Sequence, residues 1–256
     1  MKIHPTAIVS PKAEIGRDVT IGPYTIIDEE VFIGDNTEIS SNVLLEKWTT
    51  IGKGCEVSSG AKIGGKPQDQ KFKNKKSFVK IGDNTQIREF VTIHRSSQEE
   101  GSTVIGNNVM IMAYSHVAHD CHIGDNVVIT NYAGISGHVR IEERAIISGF
   151  VGIHQFCRIG KLALVSGFSG VSKDIPPFII VRGVTTKPYG LNIIGLKRNN
   201  ISSKAIDSLK EAYRFLFQSE LNVSQALEKI KSEISNCSEI DHLVGFIENS
   251  ERGICK

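Results

Sequence analysis

Residues 116–122 read HVAHDCH: His116, His119 and His122 at intervals of three, with Asp120 and Cys121 among them. Three imidazoles and a carboxylate this close suit either a metal ion or proton transfer. On a helix that spacing would put ligands on one face. Along an extended chain three residues span up to ~10 Å, so the rings point apart and only an ion shared between subunits remains. Proton transfer asks for less. A neutral imidazole with a pKa near about 6.5 takes a proton from a hydroxyl, and an adjacent carboxylate orients it and stabilises the imidazolium. No serine or cysteine nucleophile joins the cluster, so direct, base-assisted transfer is expected rather than a covalent intermediate, and no metal is expected.

The elements that place these residues come from an internal repeat. Every sixth residue from Ile3 to Val171 is Ile, Leu or Val, except Asp69, Lys75 and Glu99. Two residues before each aliphatic sits a small or β-branched residue, as at Ala7, Ala13, Val19, Thr25 and Cys55. A period of six fits neither a helix nor a simple strand, but it fits short strands joined by turns, each pointing one aliphatic inward. Three hexads close an 18-residue triangular coil, and about ten stacked coils make a parallel β-helix roughly 48 Å tall. Its handedness is not written in the repeat; the usual rule for parallel crossovers would make it right-handed. Gly follows the aliphatic at 16, 22, 34, 52, 64, 82, 106, 124 and 160, where a turn is expected to use positive φ.

The three departures mark two external loops, at about 64–80 and 94–104. The first amounts to one coil's worth of polar residues. After Val171 the segment KDIPPF breaks the pattern, and from 190 a helical period takes over. Ser202 or Ser203, the Asn222/Gln225 pair and the Ser238/Asp241 pair are expected to start three helices that cover the open end of the prism. The expected division is thus a β-helix over 1–189 and a helical domain over 190–256.

Because residues 18 apart stack on neighbouring rungs, His119 falls beneath Gly137 with Gln155 above, Asp120 falls beneath His138, and His154 lies beside Gln155. These six gather on one outer edge within about two rungs, roughly 10 Å. None of the seven histidines of the repeat region takes an inward register, whereas Cys121 and Cys157 do and read as core. The Gly137 N–H, unobstructed by a side chain, could receive the oxyanion of an acyl transfer.

Net charge is +2, and the five cysteines are scattered with no CxxC pair. Neither nucleic-acid binding, a disulfide framework nor a zinc knuckle is indicated. The opening MKIHPTAIVS lacks the apolar run of a signal peptide, and no stretch of 18 apolar residues follows, so a cytoplasmic protein without a transmembrane segment is expected.

The hexads together with HVAHDC, SGHV, HQFC, KDIPP, QDQKF, TIHR and NIIGLKR resemble the UDP-N-acetylglucosamine O-acyltransferases of lipid A synthesis along essentially the whole chain. That resemblance implies a left-handed β-helix with a C-terminal helical domain, assembled as a homotrimer with sites between subunits. It implies transfer of a 3-hydroxyacyl group from acyl carrier protein, whose phosphopantetheine carries the donor, with no further cofactor. The acceptor would be the glucosamine 3-position of UDP-N-acetylglucosamine or its 3-amino analogue. By position, His119 is implied as base, Asp120 as its partner and Gly137 as the oxyanion-binding amide. His116, His138, His154 and Gln155 are implied as substrate contacts, Asp69 and Lys71 as sugar-nucleotide contacts, and Asn192 and Arg198 as nucleotide contacts from a neighbouring subunit. Gly167 falls where acyl length is set. Lys73, Lys75 and Lys76 read as a solvated face or a weak carrier-protein patch, and His122 has no assigned role. The chain departs from the family at Ile194, Asn199 and Thr185, which bears on the uridine grip and chain length. The alternatives are the later UDP-3-O-acylglucosamine N-acyltransferase and a zinc carbonic anhydrase of the same fold.

Overall fold

The computed structural model describes residues 1–256. Nearly every hexad forms a two-residue strand and a turn, and the strands stack into sheets of 11, 9 and 8 members that make the three faces of a prism. The first face begins at Lys2–Ile3, the second at Ile8–Val9 and the third at Glu14–Ile15. The coil is left-handed, against the usual crossover rule. Along each face an aliphatic stands on an aliphatic: Ile111 on Ile129, Val117 on Ile135, Ile123 on Ile141. These side chains are at most 2% exposed and form one continuous column through the prism. Burying a column of Ile and Val contributes about 1.5–3 kcal/mol per side chain, which is why the hexad aliphatic admits no polar residue inside the prism.

The turns are not built as expected. Of the nine glycines after an aliphatic, only Gly64 has positive φ, at +93°. The left-handed position lies three residues after the aliphatic, where Asp18, Tyr24, Asn36, Trp48, Asp120 and His138 have φ between 54° and 68° and their equivalents are also left-handed. The glycines answer a different need: a Cβ on Gly34 would lie 2.7 Å from the carbonyl carbon and oxygen of Gly52 on the next coil. Rungs approach too closely there for any side chain. The cost of left-handed backbone at the corners is offset in part by stacking. Tyr114, Tyr132, Phe150 and Phe168 form a ladder with centroid spacings of 5.1, 4.9 and 5.0 Å along the corner between the first and second faces.

Both excursions leave the prism and return in register, but the first is shorter than a full coil. Lys62 pairs with Thr92, 30 residues on, and Thr92 with His116, 24 on, so the loops add 12 and 6 residues to the 18-residue coil. The rest of each expected loop is strand, in Lys62–Gly65, Phe78–Ile81 and Ser102–Ile105.

Beyond the hexads, Ile179–Arg182 extends the first face and pairs antiparallel with Lys187–Leu191. Four helices follow rather than three: α1 (Ile193–Arg198), α2 (Ser203–Phe217), α3 (Val223–Glu233) and α4 (Ser238–Glu248). Ser202 caps α2, and Asn222 with Gln225 forms a reciprocal capping box on α3. The Ser238/Asp241 box does not form. Cys237 occupies the N-cap of α4 without a side-chain bond, and the Ser238 hydroxyl donates to Glu239 instead. Tyr213, Phe217 and Cys255 pack on the end of the aliphatic column.

Candidate active site

The corner between the second and third faces carries His119 and Asp120 in one turn, Gly137 and His138 in the next and Gln155 and Phe156 in the third. His119 Nδ1 lies 2.7 Å from Asp120 Oδ2, and both side chains are largely buried, at 15% and 10% exposure. With the Nδ1 proton donated to the carboxylate, Nε2 keeps its lone pair. Gly137 lies directly against the ring: a Cβ there would come within 2.6 Å of His119 Cε1 and 2.8 Å of Nε2. The Gly137 N–H makes no hydrogen bond within the chain. A base and a free backbone donor are thereby brought together at one corner.

Asp120 is fixed from the second excursion. The Ser97 N–H donates to Oδ2 at 3.1 Å, the Ser97 hydroxyl at 2.6 Å, and the Ser96 hydroxyl donates to Oδ1. Burial alone would raise this carboxyl's pKa, but the bonds from His119, Ser96 and Ser97 outweigh it and hold the group well below the usual range. His138 Nε2 stands 3.6 Å from Asp120 Oδ2, with its ring stacked on Phe156. His119, Asp120 and His138 present ligand atoms within 4.8 Å of one another, a spacing that admits a metal ion. The donor set argues otherwise, because Asp120 already accepts four hydrogen bonds and an ion would have to displace them.

From this corner a cleft of about 750 Å³ opens over the second face. His116, His119, Gly137, His154 and Gln155 line it, as does Gln68 from the first excursion. Its floor is bare backbone: above His116 the outward column continues as Gly134, Gly152 and Gly170. Nothing lies within 4 Å of a Cβ on Gly134 or Gly152, so packing does not demand glycine at either position. His116 Nδ1 is bonded to Thr92 Oγ1 at 2.7 Å, and burial, followed by the nearby His119, lowers its pKa.

Two solved structures match the chain along nearly its whole length. A UDP-N-acetylglucosamine acyltransferase from Bacteroides fragilis is 43% identical, with a TM-score of 0.96 and 99% of each chain covered. One from Francisella novicida is 40% identical, with a TM-score of 0.95 over 99% of this chain and 93% of that one. The chain belongs to the UDP-N-acetylglucosamine O-acyltransferase family. The family model "Udp N-acetylglucosamine O-acyltransferase; Domain 2" matches residues 174–255, and "Bacterial transferase hexapeptide (six repeats)" matches 102–137. A curated family member from Thermodesulfovibrio yellowstonii is 50% identical over 86 residues, a match that spans about a third of either chain (34% and 33%). Neither the N-acyltransferase nor the carbonic anhydrase reading draws support from these matches.

Several residues singled out for the family lie elsewhere within one chain. Asp69 accepts the Lys71 N–H at 2.9 Å, and neither lines the cleft, which the loop reaches through Gln68. Lys75 pairs with Glu99 at 2.9 Å and Lys76 with Glu30 at 3.9 Å, as a solvated face does. Gly167 is exposed at the corner of the aromatic ladder, outside the cleft lining. Asn192 is 4% exposed and caps α1, accepting from the Gly195 N–H and donating to the Leu162 carbonyl, while Arg198 is exposed at the end of that helix. His122 points outward from the third face, between Val104 and Arg140. Cys121 is core, its thiol pushed up to about 12 by burial.

Sequence reasoning missed His94, Ser96 and Ser97. The His94 ring meets His116 edge-on at 4.8 Å, its Nδ1 is buried without a partner, and burial, then the charges of His116, His119 and Arg95, lower its pKa to about 4. The available signal was the segment TIHR at the start of an excursion, but the inserted residues hid its neighbours from an 18-residue count.

Proposed function

We propose that this cleft moves a 3-hydroxyacyl group from the phosphopantetheine thioester of acyl carrier protein to the glucosamine 3-position of UDP-N-acetylglucosamine. His119 Nε2 takes the acceptor proton as the oxygen attacks the thioester carbon. The oxyanion receives a hydrogen bond from the Gly137 N–H. The C–S bond then breaks, and the imidazolium returns its proton to the departing thiolate. Asp120, held by Ser96 and Ser97, fixes the tautomer of His119 throughout. The observation that carries this reading is the 2.7 Å His119–Asp120 contact with Gly137 against the same ring.

His116, His154 and Gln155 are read as substrate contacts from the cleft wall, His138 as a contact at the corner, and Gly167 as the limit of the acyl groove. Asn192 and Arg198, remote from the cleft within one chain, fit contacts delivered by a neighbouring subunit of a homotrimer. For Asn192 this is a backbone or helix-end role, since its side chain is engaged. Asp69 and Lys71 would close over the sugar nucleotide when the loop at Gln68 does. No helix is long and apolar enough to cross a membrane, which suits the proposed cytoplasmic location. Turnover of acyl carrier protein thioesters with UDP-N-acetylglucosamine, lost in a folded His119→Ala protein by about 10²–10⁴-fold, is the expected result. Near-normal turnover by that variant would overturn the mechanism.

A further inference from the structure

We propose that Arg95 is a positioning residue that ties the loop bearing Asp69 and Lys71 to the segment orienting Asp120. Arg95 follows the strand Thr92–His94 and is 1% exposed. Its Nη1 donates to the Gly64 carbonyl at 3.1 Å and its backbone N–H to the Gly65 carbonyl at 2.9 Å, both at the root of the first excursion. The guanidinium lies 5.2 Å from the Trp48 ring centroid and 5.5 Å from that of Phe72, the residue after Lys71. The Phe72 N–H donates to the Asp69 carbonyl at 3.0 Å, so the held aromatic and the sugar-nucleotide residues form one turn. On the other side, His94 meets His116 while Ser96 and Ser97 hold Asp120. Four consecutive residues therefore join both loops to the catalytic pair.

Stability alone does not explain this arginine. Its Nε and Nη2 are buried without partners, and desolvation, only partly countered by Glu46, disfavours its charge. An apolar residue of similar volume would be neutral or stabilising at such a position. Only a planar guanidinium packs against two rings while donating to the Gly64 carbonyl, and the shorter-reaching point charge of lysine does not reproduce it.

The proposal rests on the sugar-nucleotide reading of Asp69 and Lys71, and the test separates the two. Arg95→Lys and Arg95→Met are compared with wild type in tryptic nicking at Lys71 and Lys73, in KM for each substrate and in thermal midpoint. Expected are a roughly tenfold rise in nicking and in KM for UDP-N-acetylglucosamine, with KM for the acyl carrier protein thioester within about twofold and the midpoint of Arg95→Met unchanged or higher. Phe72→Leu, which leaves the prism intact, should reproduce the nicking and the KM effect if Arg95→Met does not fold. Unchanged nicking, or a fall in midpoint that scales with every kinetic constant, would overturn the clamp. Wild-type protein inert towards UDP-N-acetylglucosamine would overturn the substrate reading, while nicking would still decide the role of Arg95.

Discussion

Replacing Gly137 by alanine should abolish most activity without weakening the fold. An added Cβ would lie 2.6 Å from His119 Cε1, 2.8 Å from Nε2 and 3.1 Å from Nδ1, where ordinary contact begins near 3.4 Å. The backbone of Gly137 is not in the left-handed region, so alanine is conformationally acceptable, and the imidazole must yield by up to about 1 Å. Misplacement on that scale costs about 10²-fold in rate, whereas the restricted unfolded chain contributes about 0.4–1 kcal/mol of stability. Gly34→Ala provides the opposite case, because its Cβ meets backbone of the next coil at 2.7 Å. It should cost about 1–3 kcal/mol by overpacking and leave kcat intact in the folded fraction. Steady-state kcat from product chromatography, paired with thermal melts, distinguishes the two. A Gly137→Ala protein with wild-type kcat, or one that melts as early as Gly34→Ala, would refute the placement of His119 against that glycine.

Asp120→Asn should lower kcat by about 10²–10⁴-fold while leaving substrate binding nearly unchanged, since an amide donating to Nδ1 moves the proton to Nε2; a pH-independent kcat near wild type would contradict this. His94, with its folded pKa near 4 against 6.5 unfolded, binds fewer protons in the native state, so stability should rise from pH 4 to 6.5 and be lost on acidification through that window. Denaturant melts of His94→Gln should show a flatter slope there, by an amount on the order of 3 kcal/mol across the window. Asn222→Ala removes the side-chain half of the α3 capping box, the bond from the Gln225 N–H, and should cost about 1 kcal/mol by urea titration, with no effect on KM.

The prism was legible because burial forces the same residue type at every sixth position, as at Ile111, Val117 and Ile123. Stacking by 18 then predicts the meeting of His119 with Gly137 and of Asp120 with His138 from spacing alone. What stayed hidden has local causes. Corner residues need a left-handed backbone, yet Tyr and Phe fill many corners through stacking rather than propensity, so the glycine pattern pointed to the wrong turn position. Thr92 sits under His116 only after a 24-residue coil, which removed His94, Ser96 and Ser97 from the count. Helix α1 spans six residues, too few to show a period, and its Asn192 cap is identified only by the bond its side chain accepts from the Gly195 N–H.

Mass spectrometry of the products formed by purified protein from a series of acyl carrier protein thioesters, with UDP-N-acetylglucosamine and its 3-amino analogue side by side, tests the central claim most directly. The predicted result is a UDP-sugar bearing one 3-hydroxyacyl group at the 3-position, formed with release of the carrier thiol and absent with folded His119→Ala. No acylated UDP-sugar from either acceptor, or the same product at the same rate from His119→Ala, would contradict it.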